Sequence, residues 1–318
     1  MQPRLTSINA LTNALEKKLR NAFCGAHSPP RLLRDEPMRE HTTLRVGGPA
    51  DLFVAPHCPE QVAEAVRACR ELGVPLLVLG SGSNLLVRDG GIRGAVLHIG
   101  PDLAKYQIEE NLLLAQAGLP LPAAARAALQ SGLDGLVFAE GIPGSMGGGA
   151  CMNAGAYGGE MAQVVHSVDI VDGEGQARTL PAADLDYGYR HSALLDRGWI
   201  VTRVACALTP GDPREMAERM RGLAAQRRAK QPLRQPSAGS TFKRPPGRFA
   251  AQLIDEAGLK GESVGGAQVS PLHAGFVVNT GGATAADLLA LIERIQEKVL
   301  ARSGVLLEPE VRIVGSEE

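Results

Sequence analysis

Leu11, Leu15 and Leu19 recur at helical spacing in INALTNALEKKLR, so the N-terminal stretch predicts a helix with one apolar stripe. A connector rich in Pro and Arg follows to about residue 40. HTTLRVGGPADLFVAP then predicts two short strands around a Gly-Gly-Pro turn, and PEQVAEAVRACRELG places Val62, Val66, Cys69 and Leu72 along one helical face. VPLLVLG reads as a buried strand, GSGSN as a loop and LLVRDGGIRGAVLHIG as a hairpin.

Short strands dominate from Ala104 to about Gly211: KYQIEE, NLLLAQAG, then VVHSVDIVDGEGQARTL with DGEG as its turn, and WIVTRVACAL. One helix, LPAAARAALQSGL, interrupts them. PREMAERMRGLAAQRRA opens a third, helical region, which closes with TAADLLALIERIQEKVLARSG and Gly304 in C-cap position. VLLEPEVRIVG is a final strand, expected to return to the sheet of the second region. The expected divisions are 1–40 (helix and connector), 41–100, 101–211 together with 305–315, and 212–304.

At 318 residues the chain is longer than one core usually serves, which agrees with several domains. Its 33 basic and 34 acidic residues leave a net charge of −1, and neither sign forms a run suited to nucleic acid or a lipid surface. Cys24, Cys58, Cys69, Cys151 and Cys206 are scattered without a C-x-x-C pair, as in a reducing compartment. The first residues lack the apolar run and cleavage site of a signal peptide, and no apolar stretch approaches the roughly 18 residues of a membrane span. A cytoplasmic protein without a membrane or nucleic-acid partner is expected. The histidines are scattered and no H-E-x-x-H occurs, so no metal site is expected.

Glycine is concentrated in loops, where it lets backbone approach a ligand. Gly80-Ser81-Gly82-Ser83-Asn84 follows a strand, but Leu85 replaces the third glycine of G-x-G-x-x-G and a strand follows, which disfavours a Rossmann site. The loop reads as either an anion nest or a plain turn. AEGIPGSMGGGACMNAGAYGG, residues 139–159, is nearly free of bulky side chains and reads as a ligand wall, with Cys151 as filler. PSAGSTFKRP holds Ser240 in neither a nucleophile elbow nor a phosphate loop, so alone it reads as a polar turn.

Together, GSGSNLLV, GIPGSMGGGACMNAGAYGGE, YGYRHS, PSAGSTFKRP, GGAQVSPLHAGFVVN and LEPEVRIVG, in this order, resemble the UDP-N-acetylenolpyruvoylglucosamine reductase family. The resemblance runs from about Arg45 to Gly315, and short spacing between GYRHSALL and WIVTRVACAL implies the subgroup without an extra tyrosine loop. It implies an α+β fold of three domains. Two form a vanillyl-alcohol-oxidase-type FAD-binding fold, and the third is an α+β substrate-binding domain. The implied activity is reduction of the enolpyruvyl ether of a UDP-amino sugar by NADPH through non-covalent FAD, in peptidoglycan precursor synthesis. A monomer is expected, although the sequence itself does not give the oligomeric state.

The resemblance also implies residue roles. FAD would be held by Gly80, Ser81, Gly82, Ser83, Asn84, Gly141, Ile142, Pro143, Gly144, Ser145, Gly147, Gly148, Asn153, Ala154, Gly155 and Ala156. Arg190 and Glu310 match the family's catalytic arginine and glutamate, and Ser240 its proton donor. An enolate carbon is basic enough to take a proton from a serine hydroxyl. Tyr189, Lys230, Arg244 and His273 are the implied substrate contacts, with Lys230 readable also as a solvated helix end beside Arg227 and Arg228. His191 and Arg244 depart from the family's usual residues. Two rivals, an FAD-dependent alcohol oxidase on the same fold and a non-catalytic flavin or nucleotide-sugar binder, do not need Arg190, Ser240 and Glu310 together.

Overall fold

The apolar stripe of the first helix has a partner. In the computed structural model, which describes residues 7–25 and 27–317, helix Ile8–Ala22 buries Leu15 and Leu19 in one core with helix Pro59–Leu72. Ser7 caps the first helix through its side chain. The chain divides into two compact units, residues 1–36, 51–81 and 93–224, and residues 37–50, 82–92 and 225–318.

The first unit carries two sheets. One is four-stranded in the order Arg31–Pro37, Pro49–Ala55, Ile92–His98, Leu76–Leu79. VPLLVLG supplies its edge, which explains why Val78 is exposed where a buried strand was expected. The other has five antiparallel strands in the order Ala177–Pro181, Val165–Val171, Ile200–Ala207, Leu112–Gln116, Tyr106–Glu109. Helix Leu121–Gln130 and the residues between the sheets share a single apolar core. Residues 51–81 and 93–100 of the expected 41–100 division and all of 101–211 therefore belong to one unit.

In the second unit the antiparallel strands Ser263–Val264, Ala267–Val269 and Val277–Asn279 pack with helix Ala285–Ser303 around Leu288, Leu291, Ile292 and Ile295. That helix starts with a Thr284–Asp287 capping box and ends at Gly304 in the left-handed conformation. Asp89 reaches its first turn, accepting from the N–H groups of Ala285 and Ala286 at 2.9 Å each.

Three expectations about strands are corrected. Strand Arg312–Val314 pairs in parallel with Leu85–Val87, and does not return to the five-stranded sheet. LLVRDGGIRGAVLHIG is no hairpin, because Ile92–His98 pairs in the four-stranded sheet instead. HTTLRVGG forms no first strand. Leu44 and Val46 are buried in the second unit's core beside Leu86, so burial of these apolar residues decides the path of both segments. Accordingly, residues 37–50 and 82–92 join the C-terminal unit rather than the expected 41–100 division.

Candidate functional site

Ser240 is exposed on a loop that its neighbours hold firmly. Gly239 before it has φ 76°, a left-handed conformation that glycine alone adopts without cost. Thr241 after it is buried and makes three bonds. Its N–H donates to the Gly275 carbonyl at 2.9 Å, its hydroxyl accepts from the Val277 N–H at 3.1 Å, and its carbonyl accepts from the Glu310 N–H at 2.8 Å. Two residues on, the Lys243 N–H donates to the Glu308 carbonyl at 2.9 Å while the ammonium meets the Glu308 carboxylate. The segments around Ser240 and Glu310, predicted from motifs far apart in sequence, are thus laced side by side.

Glu310 is held from its other side by the GSGSN loop. The Asn84 side-chain amide donates to the Glu310 carbonyl at 3.0 Å, and the Asn84 carbonyl accepts from the Arg312 N–H at 3.0 Å. Gly82 has φ 61°, and a Cβ there would lie 2.0 Å from the His41 carbonyl oxygen, so no other residue fits. Among the described residues, the N–H groups of Ser81 and Gly82 have no backbone acceptor. Backbone donors left open in a loop of small residues are what a diphosphate requires, so this loop fits FAD.

In the first unit the stretch expected to wall a ligand is partly a short helix. Ser145 caps Met146–Cys151, its hydroxyl accepting from the Gly148 N–H at 3.4 Å. A Cβ at Gly147 would lie 2.7 Å from that of Ala117, one at Gly155 2.8 Å from the Gly159 carbonyl, and one at Gly80 2.9 Å from Ser145 Oγ. Close packing therefore accounts for several of these glycines, and it sets Gly80 and Ser145 of the two predicted FAD loops side by side. Gly148 is exposed. Gly141, Ile142, Gly144, Ala154 and Ala156 are half-buried and Pro143 exposed on the same stretch.

Arg190 also belongs to the first unit, at the tip of a tight turn. Gly188 and His191 exchange backbone hydrogen bonds of 3.1 and 3.2 Å, leaving Tyr189 and Arg190 between them with Arg190 at φ 57°. A non-glycine residue in that region is strained, and such strain gathers at functional sites. The Arg190 guanidinium carbon lies 5.4 Å from the centre of the exposed Tyr189 ring. Asn153, only 3% exposed, supports the turn: its amide donates to the Gly188 carbonyl at 3.1 Å, and its oxygen accepts from the Ala162 N–H at 2.9 Å. His191 stands 3.6 Å from Asp196 and 3.9 Å from Asp186, which accounts locally for a residue unusual in the motif. Among the described residues, the buried Tyr187 hydroxyl has no hydrogen-bond partner, and burial pushes its pKa well up.

The implied substrate contacts fall in different settings. Lys230 is exposed as the last residue of helix Pro213–Lys230, where Arg227 and Arg228 add to the basic end. Arg244 stacks its guanidinium 4.8 Å from the Phe249 ring centre. His273 accepts the Gly275 N–H on Nδ1 at 3.1 Å, which puts its own proton on Nε2, and burial holds its pKa below the usual value. Edge-on contact with Phe276 at 4.9 Å completes a turn-capping role. Among the described residues no group of three His, Cys, Asp or Glu is placed to hold a metal. Sequence reasoning missed Thr241 and the side-chain roles of Asn84 and Asn153, since all three act through long-range backbone contacts.

Residues 231–314 match the UDP-N-acetylenolpyruvoylglucosamine reductase C-terminal domain, and residues 50–181 match an FAD binding domain. A UDP-N-acetylenolpyruvoylglucosamine reductase from Clostridium botulinum strain Hall is 50% identical over 286 residues, 90% of this chain and 93% of the relative. The chain belongs to the UDP-N-acetylenolpyruvoylglucosamine reductase family. A reductase of that family from Geobacillus kaustophilus is 47% identical over 295 residues, 93% of this chain and 96% of its own. The crystal structure of the Thermus caldophilus reductase superposes with a TM-score of 0.77 at 36% identity, covering 89% of this chain and 98% of that one. The α+β, FAD-binding architecture expected from the motifs is that of this reductase family.

Proposed function

We propose that this protein reduces UDP-N-acetylglucosamine enolpyruvate to UDP-N-acetylmuramate, with NADPH as hydride donor, in peptidoglycan precursor synthesis. The observation that carries the reading is the 50% identity over nine-tenths of the chain to a reductase of that name, joined to the lacing of Ser240 against Glu310. The two glycine loops would hold FAD, which would supply the hydride chemistry. The protein's own residues must then manage charge and a proton. Hydride addition to the alkene leaves negative charge beside the carboxylate, and preorganised donors there lower the barrier most. Arg190 supplies the cation, and Glu310 is the second polar group set against the developing charge. Ser240, exposed on its braced loop, gives its proton to the carbon next to the carboxylate. Lys230, Arg244, Tyr189 and His273 serve the nucleotide sugar.

The same reading makes the enzyme a cytoplasmic monomer. Its five cysteines are free thiols, and among the described residues no helix is long and apolar enough to cross a membrane. The purified protein should be yellow, bleach with NADPH, and recover its colour when the enolpyruvyl sugar is added without oxygen. A colourless protein that fails to bind FAD would overturn the reading. Flavin reduced by an alcohol and reoxidised only by oxygen would replace it with the oxidase.

A further inference from the structure

We propose that Asn84 and Asn153 are positioning residues, each using its side-chain amide to tie a flavin loop to the main chain that carries a reacting group. The inference rests on the roles assigned above to Arg190, Ser240 and Glu310. Both asparagines sit in the glycine loops, where a phosphate contact is the obvious reading, yet their amides point elsewhere. Asn153 spends both ends inside the protein, donating to Gly188 and accepting from Ala162, and it is buried. Gly188 opens the turn whose tip is Arg190. In the other unit, Asn84 donates to the carbonyl of Glu310, 226 residues away, and accepts from Arg312. Since the Glu310 N–H goes to Thr241, the backbone of Glu310 is pinned between the flavin loop and the residue after Ser240. Each contact needs a donor on a short side chain. Asparagine supplies it, and aspartate, of the same shape, cannot.

The contacts make the seating of each flavin loop a determinant of where a reacting group stands. Asn84→Asp, purified as holoenzyme beside wild type, tests this, with Asn153→Asp as second variant. FAD affinity is measured by fluorescence titration, and rapid mixing follows bleaching by NADPH and reoxidation by the enolpyruvyl sugar separately. Expected is FAD affinity within about twofold of wild type with reoxidation slowed on the order of tenfold, the size of one lost hydrogen bond, and the slowing confined to that half. Weakened FAD binding with both halves slowed alike would make the asparagines cofactor ligands and overturn the proposal. Unchanged reoxidation would overturn it as well. Should the buried Asn153→Asp not fold, the half-buried Asn84→Asp decides alone. Wild-type reduced enzyme that the sugar fails to reoxidise would instead refute the functional reading beneath.

Discussion

Replacing Ser240 by alanine removes one exposed hydroxyl, and the surroundings allow its effect on folding to be separated from its effect on rate. Among the described residues, the Ser240 side chain has no hydrogen-bond partner, while all three bonds of Thr241 are left in place. Stability should therefore change by less than about 0.5 kcal/mol. Rate should not be spared. A positioned general acid is worth roughly a hundred- to ten-thousandfold, which is about 2.7 to 5.4 kcal/mol of barrier. Thr241→Val gives the converse. It leaves the Val277 N–H buried without an acceptor, at a cost of about 1–3 kcal/mol of stability, and keeps the proton donor. Rapid-mixing absorbance of the NADPH-reduced enzymes against the enolpyruvyl sugar, with thermal melts of both, tests the pair. Reoxidation of Ser240→Ala within about threefold of wild type would remove Ser240 from the proton path.

Arg190→Lys keeps the charge and the positive φ of the turn but loses the planar fork, so sugar reduction should fall severely while NADPH still bleaches the flavin; steady-state and half-reaction rates check this. Tyr187→Phe removes a buried hydroxyl without a partner and should leave the melting temperature unchanged or raise it, the equivalent of up to about 1 kcal/mol, by calorimetry. For His273, burial lowers the folded pKa below 6.5, so the unfolded chain binds the proton first as pH falls. Its contribution to stability is complete above that value and is lost as pH drops from it towards the folded pKa. His273→Asn should reduce the loss of melting temperature between about pH 7.5 and 5.5.

Local pattern was enough for many elements. The stripe of Leu11, Leu15 and Leu19, the DGEG turn and the Thr284-to-Gly304 helix each form from contacts within a few residues, and each is found where periodicity and capping predict it. The motifs around Arg190, Ser240 and Glu310 were equally visible, because they are continuous stretches with a family resemblance. What periodicity could not supply was partnership. Leu85–Val87 and Ile92–His98 are separated by a turn that looks like a hairpin, and each is a short apolar run with the composition of a strand. Only burial of Leu44, Val46 and Leu86 in the second unit's core, with Arg312–Val314 as a parallel neighbour, decides that they part.

The same division holds at the site. Sequence alone determined which residues are available: a serine after a glycine, an arginine between a tyrosine and a histidine, a glutamate before the last strand. Tertiary structure decided which atoms hold them. Asn84 reads as one more polar residue in a glycine loop, and Asn153 likewise, until the fold brings the carbonyls of Glu310 and Gly188 within 3.0 and 3.1 Å of their amides. A hydrogen bond between residues 226 positions apart leaves no periodic trace in the chain, because its two ends are joined by packing rather than by local geometry.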